Sequence, residues 1–419
     1  MSFETISVVG LGYIGLPTAA MFASRKKKVI GVDVNQHAID TINRGEIHIV
    51  EPDLDMLVSA AVQQGYLKAV STPEAADAFL IAVPTPFKPC EEGEIPEPDL
   101  TYIESAAKAI APVLKKGDLV ILESTSPVGA TEQMAEWLSE ARSDLTFPKS
   151  HGERADVNVA HCPERVLPGH VVTELVQNDR VIGGMSQRCS ERSVELYKTF
   201  VMGECVVTNA RTAEMAKLTE NSSRDVQIAF ANELSVICDE LDINVWELIA
   251  LSNRHPRVNI LQPGPGVGGH CIAVDPWFIV SKTPKQAQLI HTARNVNDSK
   301  PHWVVDKVKI KLSEYLADNP NKSINDVTIA CYGLAFKPDI DDLRESPALE
   351  ITKAIAESKL GKVIAIEPNI NELNIAGIEL VTLDYSLSNA DIHVLLVDHQ
   401  QFKKIKLRDN YIIDTKGIW

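Results

Sequence analysis

Apolar residues come in short uninterrupted runs over the first half of the chain, and most runs end at a glycine, an acid or a cluster of hydroxyl residues. Strands that are apolar throughout, rather than alternating, are typical of parallel sheets covered by helices on both faces. The pattern therefore predicts a doubly wound α/β domain over residues 1–210. Its predicted strands include Thr5–Val9, Lys28–Val32, Ala78–Val83, Leu119–Leu122 and Val157–Ala160.

The hydrophobic period changes to 3.6 residues at about Thr212. Residues Ala213–Cys238 form one helical pattern without glycine or proline, and two further helices are predicted at Asn244–Asn253 and Lys300–Leu316. The long segment is apolar around more of its circumference than a solvated helix requires. It is therefore predicted to form the spine of a homodimer within a central all-α domain, residues 211–316.

Strand patterns return after a linker rich in Asn and Asp. They are Val327–Tyr332, Lys362–Ile366, Ile392–Val397 and Tyr411–Asp414, with a helix at Ala348–Glu357. A second, smaller α/β domain is therefore predicted for residues 317–419. The expected fold class is α/β, with two Rossmann-like doubly wound domains joined by a central all-α segment that contains a long helix.

Composition narrows the function classes. The 419 residues are 45% hydrophobic and carry a formal net charge of −16, which argues against nucleic acid or an anionic membrane as a partner. There is no apolar run near the ~20 residues of a membrane span, and a strand begins almost at the N-terminus, so we expect a cytoplasmic protein. The seven scattered cysteines have neither metal-ligand spacing nor a disulfide pattern, so no metal is expected.

The first strand leads into a glycine turn and a helix, and the second strand ends at an acid. This order is the dinucleotide fingerprint in its required context. The first glycine permits the turn, the second lets a pyrophosphate approach, and the third allows close packing of the helix on the strand, with the helix N-terminus facing the phosphates. The predicted cofactor turn consists of Gly10, Gly12, Tyr13, Ile14 and Gly15.

Asp33 ends the second strand, where a carboxylate would bind the ribose hydroxyls and repel a 2′-phosphate. NAD is therefore favoured over NADP; the alternative is that Asp33 is a strand-end turn residue. Because ligands lie beyond the carboxyl ends of parallel strands, Thr85, Thr125 and Thr131 are expected to line the cofactor crevice. Thr131 could also simply begin the next helix.

Pro263–Trp277 is rich in glycine and proline and contains one cysteine, Cys271. The stretch predicts a loop whose backbone approaches a ligand, with the thiol at its mouth. His270 and Asp275 could tune a thiolate or handle a water molecule. The alternative is a small buried cysteine, but a merely packed side chain does not need so open a backbone.

Two further groups of polar residues are candidates for chemistry. Lys217, Asn221 and Arg224 follow at i, i+4 and i+7 in the long helical pattern, so they share one face. A solvated stripe is the usual explanation of such a trio, but the apolar surroundings suggest a buried face. A turn after the strand Val157–Ala160 carries an acid, Glu164, and a base, Arg165.

Taken together, the motifs resemble one family over the whole chain: the nucleotide-sugar 6-dehydrogenases of the UDP-glucose and GDP-mannose dehydrogenase group. The resemblance implies oxidation of a sugar's primary alcohol to a carboxylate with reduction of two NAD. Its markers are Gly10-x-Gly12-x-x-Gly15, Glu214-x-x-Lys217 with Asn221, Gly268-Gly-His-Cys271 with Asp275, and Phe336-Lys-Pro338 with Asp341-Asp-x-Arg344-x-Ser346.

The resemblance also implies roles for single residues. Cys271 would be the nucleophile. Lys217 would act as the base for the alcohol and as the cation near the developing oxyanion, with Asn221 as a second donor. Asp275 and Glu164 would orient or activate water. Arg344 would reach the NAD. The residues implied in binding a UDP-sugar are Arg165, Val166, Lys217, Asn221, Arg224, His255, Arg257, Gly268, Phe336, Lys337 and Lys416, the last from its own or a partner subunit.

Within the family, Pro163–Gly169, Arg254–Arg257 and Asp414–Gly417 resemble the branch that oxidises UDP-N-acetyl-D-mannosamine for bacterial surface polysaccharides such as enterobacterial common antigen. Pro168 stands where the UDP-glucose branch has a second glutamate, which counts against UDP-glucose. UDP-N-acetylglucosamine, UDP-glucose and GDP-mannose stay open as substrates. A non-catalytic sugar-nucleotide sensor, or a two-electron dehydrogenase or epimerase, are rival functions.

Overall fold

The computed structural model describes residues 3–91, 93–167, 169–269, 271–407 and 411–419. Pro168 and His270, on which two of the sequence arguments depend, lie outside these ranges. The chain divides into two compact units, Met1–Glu220 and Asn221–Trp419. The boundary falls inside the long helix Ala210–Glu240 (α9 below).

The first unit is built on a sheet of eight strands in the order β3-β2-β1-β4-β5-β6-β7-β8. All neighbouring strands are parallel except the pair β6 and β7, which is antiparallel. The first six strands follow the Rossmann order. The strands are β1 Thr5–Val9, β2 Lys28–Val32, β3 Leu67–Val70, β4 Ala78–Ile81, β5 Leu119–Leu122, β6 Asn158–His161, β7 Arg180–Gly184 and β8 Cys205–Asn209.

Helices cover this sheet on both faces. Ile6 and Leu80 belong to one buried apolar cluster, whereas Val9 and Phe79 belong to another. Successive strand residues point to opposite faces, so two cores explain why the strands are apolar throughout. The helices are α1 Gly15–Ser24, α2 Gln36–Asn43, α3 Leu54–Gln63, α4 Thr101–Ile110, α5 Ala130–Ala141, α6 Pro148–His151, α7 Val171–Gln177 and α8 Gln187–Tyr197.

The second unit combines helices with a parallel five-stranded sheet in the order β11-β10-β9-β12-β13. Its strands are β9 Thr328–Tyr332, β10 Lys362–Ile366, β11 Ile378–Leu380, β12 Ile392–Leu395 and β13 Ile412–Asp414. The remaining helices are α9 Ala210–Glu240, α10 Val245–Ser252, α11 Asp275–Lys282, α12 Gln288–Asp318, α13 Pro347–Glu357 and α14 Leu383–Asn389.

The predicted bounds of one helix and of one loop were wrong. Helix α12 begins at Gln288 rather than Lys300, and Pro301 lies inside it. Buried polar contacts stabilise the turns before the proline: Arg294 forms a 2.6 Å ion pair with Asp225 of α9. The predicted glycine loop also ends earlier, because α11 begins at Asp275 with proline in its first turn, where a missing N–H is tolerated.

The predicted fold class is confirmed: the structure contains two doubly wound sheets and a helical segment with a long helix. The predicted domain boundaries after residues 210 and 316 stay predictions. Among the described residues, none of the helices combines the length and the apolar character needed to cross a bilayer.

Candidate active site

The turn after β1 has the backbone geometry that its glycines require. Gly10 has a φ of 91°, and its N–H donates to the carbonyl oxygen of Val32 at 2.8 Å. A Cβ on Gly15 would lie 1.7 Å from the carbonyl oxygen of Gly10, so no larger residue fits there. A Cβ on Gly12, by contrast, would meet nothing within 4 Å. This open space beside the N-terminus of α1 leaves room for a pyrophosphate.

Asp33 is half-buried and organises the same turn. Its Oδ2 accepts a hydrogen bond of 2.8 Å from the Leu11 N–H, and its Oδ1 accepts one of 2.8 Å from the Asn35 N–H. Each carboxylate oxygen can accept a second bond. Asp33 is therefore both a turn residue and an available acceptor for ribose hydroxyls.

The three predicted threonines differ in their surroundings. The hydroxyl of Thr85 is buried and finds no hydrogen-bond partner among the described residues, as expected of a group that awaits a ligand. Thr125 is half-buried. Thr131 is fully buried, and its hydroxyl donates to Glu214 at 2.6 Å; α5 has Gly129 at its N-cap and no side-chain cap, so Thr131 does not cap this helix. The role of all three toward a cofactor stays a prediction.

Glu214 has a structural role that the sequence analysis missed. Its carboxylate accepts bonds of 2.7 and 2.8 Å from the N–H groups of Gly129 and Thr131, and it is almost fully buried. Burial raises the pKa of Glu214, against the effect of these hydrogen bonds. Glu214 therefore joins α9 to the N-terminus of α5.

The open space at Gly12, the Thr85 hydroxyl without a partner among the described residues and the available Asp33 oxygens together fit NAD.

In the turn after β6, the acid Glu164 and the base Arg165 each form an ion pair. Glu164 accepts from Arg180 Nη2 at 2.5 Å and from the Arg165 N–H at 2.8 Å. The Arg165 guanidinium pairs with Glu220 at 2.9 Å, and Val166 packs against the core of the first unit. Binding of a diphosphate by Arg165 would therefore require it to leave Glu220.

A buried cluster lies behind Glu164, and sequence reasoning did not find it. Arg180 is almost fully buried and stacks on the Tyr197 ring, with its Cζ 4.3 Å from the ring centroid. Its Nη1 lies 3.7 Å from Glu123 Oε1, which also accepts a 2.5 Å bond from the Tyr197 hydroxyl. Burial raises the pKa of Glu123 to about 7, although Arg180 opposes the shift. The sequence offered one signal for this cluster: an arginine, Arg180, is the first residue of the otherwise apolar strand β7.

The polar face of α9 meets the start of α11 in the second unit. The side-chain amide of Asn221 donates to Asp275 Oδ2 at 2.5 Å, and Asp275 is almost fully buried. Of the other two residues on the predicted face, Lys217 is half-buried and Arg224 is exposed. The structure therefore brings two predicted catalytic residues, Asn221 and Asp275, into direct contact.

Cys271 is exposed, so the alternative of a small buried cysteine does not hold. Its carbonyl oxygen accepts bonds of 3.1 and 2.9 Å from the N–H groups of Val274 and Asp275, which form the turn that begins α11. The backbone of the thiol residue is therefore joined to the residue that Asn221 holds.

The glycines before Cys271 are required by close packing within the second unit. A Cβ on Gly268 would lie 2.2 Å from the carbonyl oxygen of Glu345. Gly269 has a φ of 84°, and a Cβ there would lie 3.2 Å from the Phe336 ring. The glycine loop therefore packs on the segment that carries Phe336, and its predicted approach to a ligand stays a prediction.

The remaining predicted substrate residues of the second unit lie on exposed loops or in ion pairs. Lys337 is exposed, with its Nζ 5.4 Å from the centroid of the Phe336 ring. Lys416 pairs with Asp398 at 3.2 Å. His255 and Arg257 are both exposed.

Arg344, predicted to reach the NAD, pairs with a neighbour in its own loop. Its Nε and Nη2 donate to the two carboxylate oxygens of Asp342 at 2.9 and 2.7 Å. Such a bidentate pair holds the guanidinium in one orientation. The role of Arg344 toward the cofactor stays a prediction.

A cavity of about 230 Å³ lies beside the start of the glycine loop, and Pro263, Gly264 and Lys300 are among its lining residues. Lys300 donates to the Ser235 hydroxyl at 2.6 Å, and its Nζ lies 3.6 Å from the centroid of the Trp303 ring. Burial lowers the pKa of Lys300 to about 7, although Asp239 opposes the shift. This lysine was not singled out in the sequence, where it reads as an ordinary helix residue.

Three family models match successive parts of the chain. The NAD binding domain of the UDP-glucose/GDP-mannose dehydrogenase family matches residues 4–201. The central domain of that family matches residues 211–299, and its UDP binding domain matches residues 330–419.

Full-length relatives agree with the family models. The chain is 68% identical over 425 residues to UDP-N-acetyl-D-mannosamine dehydrogenase of Yersinia pestis, with 100% of both chains covered. It is 64% identical over 424 residues to NDP-N-acetyl-D-galactosaminuronic acid dehydrogenase of Ralstonia solanacearum, covering 100% of this chain and 97% of that one. The solved structure of UDP-D-ManNAc dehydrogenase from Pyrococcus horikoshii is 38% identical in sequence, with a TM-score of 0.86. The match covers 99% of this chain and 96% of that chain. The chain therefore belongs to the UDP-glucose/GDP-mannose dehydrogenase family and is an NAD-dependent dehydrogenase.

Proposed function

We propose that the enzyme oxidises the C6 alcohol of UDP-N-acetyl-D-mannosamine to the carboxylate and reduces two NAD in doing so. The product would supply a bacterial surface polysaccharide such as enterobacterial common antigen. The observation that carries the proposal is the exposed thiol of Cys271 in a loop that packs on Phe336 and joins Asp275. The 68% identity to the Yersinia pestis enzyme supports the choice of sugar.

The thiol accounts for the four-electron chemistry. Two hydrides must leave the same carbon, and the aldehyde between the two oxidations must not escape. NAD, when bound, supplies the hydride acceptor. Addition of the Cys271 thiolate to the aldehyde carbon gives a thiohemiacetal, whose oxidation gives a thioester; water then attacks the thioester carbon, releases the thiolate and leaves the carboxylate.

The other catalytic residues act on protons and on the oxyanion. Lys217 takes the alcohol proton and, with the side-chain amide of Asn221, stabilises negative charge on the C6 oxygen. The Asn221 amide holds Asp275 through one of its two N–H groups, and the second N–H is the one that would donate to the C6 oxygen. Asp275 and Glu164 orient or activate the hydrolytic water.

Cofactor and substrate are assigned to separate sets of residues. NAD is held by the turn after β1 together with residues that follow other strands; the set is Gly10, Gly12, Tyr13, Ile14, Gly15, Asp33, Thr85, Thr125, Thr131 and Arg344. The UDP-sugar is held by Arg165, Val166, Lys217, Asn221, Arg224, His255, Arg257, Gly268, Phe336, Lys337 and Lys416. Because NAD and nucleotide sugars are cytoplasmic metabolites, the enzyme works in the cytoplasm.

The decisive experiment measures NADH and product for each sugar separately. With UDP-N-acetyl-D-mannosamine we expect two NADH per sugar and a product whose mass shows the acid. The Ralstonia solanacearum relative makes UDP-N-acetylgalactosamine the first competitor to assay, followed by UDP-N-acetylglucosamine, UDP-glucose and GDP-mannose. One NADH per sugar would reject the thioester route, and a better competitor would change the substrate while leaving the reaction class intact.

The enzyme is also proposed to be a homodimer that uses α9. Phe230 and Ile237 are about half-exposed and lie seven positions apart on one helix face, and the exposed Leu241 continues that face. A second copy of the same helix would cover these apolar side chains. Light scattering should give the dimer mass for the wild type and the monomer mass for Phe230→Asp combined with Ile237→Asp. A monomeric wild type would reject this part of the proposal.

A further inference from the structure

The turn after β9 in the second unit repeats the construction of the turn after β1. Gly333 directly follows β9, has a φ of 88°, and its N–H donates to the carbonyl oxygen of Ile366 at 2.8 Å. Gly10 does the same with Val32 in the first unit. In both units an acid then follows the second strand of the motif: Asp33 after β2 and Glu367 after β10.

Glu367, the acid of the second unit, has a different role from Asp33. Glu367 is almost fully buried, and its Oε2 accepts bonds of 2.7 and 3.0 Å from the N–H groups of Leu334 and Ala335. The same oxygen lies 3.0 Å from His399 Nε2. Burial alone would raise the pKa of Glu367, but the bonds from His399 and Leu334 bring it below its ordinary value. No ribose could reach a carboxylate in this position.

His399 anchors the other end of the same loop. It is fully buried, and its Nδ1 accepts a 2.8 Å bond from the Asp339 N–H. The pattern of partners assigns the hydrogen to Nε2, which donates to Glu367. Asp339 has a φ of 62°, which is uncommon for a residue other than glycine, and the bond to His399 holds its backbone in this conformation. The pair Glu367 and His399 thus fixes the loop 334–339 at both ends.

Phe336 and Lys337 lie at the middle of this loop. Phe336 is half-buried against Gly269 of the glycine loop, and Lys337 is exposed. Neither side chain is itself held by a hydrogen bond from the buried pair. The backbone on either side of them is held by Glu367 and His399, and the Phe336 N–H also donates to the carbonyl oxygen of Asp342 at 3.2 Å.

We propose that Glu367 and His399 are positioning residues that place Phe336 and Lys337 for the uridine diphosphate of the substrate. The inference rests on the proposed function, in which this loop binds the UDP-sugar. Neither buried residue touches substrate. They act by keeping the loop in its binding conformation before the ligand arrives, so that binding energy is not consumed in ordering it.

The test compares two histidines of the second unit. His399→Gln and Glu367→Gln should raise the KM for the UDP-sugar about tenfold, with kcat changed less than about threefold and the KM for NAD unchanged. His393 is the matched control, because it is also fully buried and its Nδ1 bonds to the Tyr332 hydroxyl, outside the loop. His393→Gln should lower thermal stability by a similar amount and leave both KM values unchanged.

The Lys337→Ala variant separates the two ways in which the inference could fail. If Lys337→Ala raises the KM for the UDP-sugar and His399→Gln does not, the positioning role is rejected while the assignment of the loop to the substrate survives. If Lys337→Ala leaves this KM unchanged, the loop does not bind the substrate. Both the positioning role of His399 and the assignment of the loop to the substrate are then rejected. If the positioning role is right, adding His399→Gln to Lys337→Ala should raise the KM by much less than tenfold, because both changes affect the same contact.

Discussion

The side-chain amide of Asn221 donates a hydrogen bond of 2.5 Å to the carboxylate of Asp275. The backbone N–H of Asp275 in turn donates to the carbonyl oxygen of Cys271. These two bonds link α9, the first residue of α11 and the backbone of the thiol residue. The loop that carries Cys271 is therefore held by α9, the helix that also carries Asn221, the proposed oxyanion donor.

An exchange of the two side chains separates their structural and chemical roles. Asn221→Asp alone places two carboxylates in contact and should lower the free energy of unfolding by roughly 1–3 kcal/mol. Asn221→Asp with Asp275→Asn restores an amide-to-carboxylate bond in the reverse direction, so stability measured in urea should largely return. Activity should stay at least about a hundredfold low. An exchange variant with wild-type turnover would show that neither position is chemically specific.

Replacement of the thiol tests the covalent mechanism directly. Cys271→Ser should lower the rate of acid formation at least about a thousandfold, because a serine hydroxyl without an activating base is a poor nucleophile. Cys90→Ser is the matched control, since Cys90 is also exposed but lies in another loop. Product is followed by mass spectrometry and NADH by absorbance. Near-normal acid formation by Cys271→Ser would remove the thioester from the mechanism.

The sequence predicted the local motifs well because their signals lie within a few residues of one another. The strands Thr5–Val9 and Lys28–Val32 were predicted with correct bounds, and the glycine turn between β1 and α1 was placed correctly to within one residue, because α1 begins at Gly15. Helix α12 was cut short at Lys300 because its first turns are stabilised by Asp225, far away in the chain.

Buried acids were the other feature that the sequence did not reveal. Glu214 was noted as part of a motif, but its bonds to the N–H groups of Gly129 and Thr131 depend on the meeting of α9 and α5. Glu367 likewise finds its partners in two other segments of the chain. An acid that bonds to backbone N–H groups of a distant segment has no periodicity, so only the folded chain reveals its role.

Asp33 should determine the choice of dinucleotide and also the shape of the turn. Asp33→Asn removes the charge that repels a 2′-phosphate and leaves one oxygen to replace the two that accept from Leu11 and Asn35. The KM for NAD should rise at least about tenfold, and the preference for NAD over NADP should fall by a similar factor. Asp40→Asn, an exposed change of equal charge on α2, is the control. An unchanged cofactor preference would contradict the role of Asp33.

Glu123 should make the stability of the first unit depend on pH. Its pKa is raised from 4.5 to about 7, so the folded state binds a proton that the unfolded state releases above pH 4.5. The free energy of unfolding should therefore fall as the pH rises from about 4.5 to about 7, by roughly 3 kcal/mol in total for a fully buried group. Glu123→Gln resembles the protonated carboxyl and keeps an acceptor for the Tyr197 hydroxyl.

The variant should consequently match the wild type in urea near pH 5 and exceed its stability near pH 8. Glu97→Gln, which removes an exposed acid paired with Lys88, should keep the pH dependence of the wild type. Parallel curves for the wild type and Glu123→Gln would mean that Glu123 is already ionised at pH 5. Arg180 would then stabilise the carboxylates of Glu123 and Glu164 together, and the attraction of the guanidinium would outweigh the cost of burying a second negative charge.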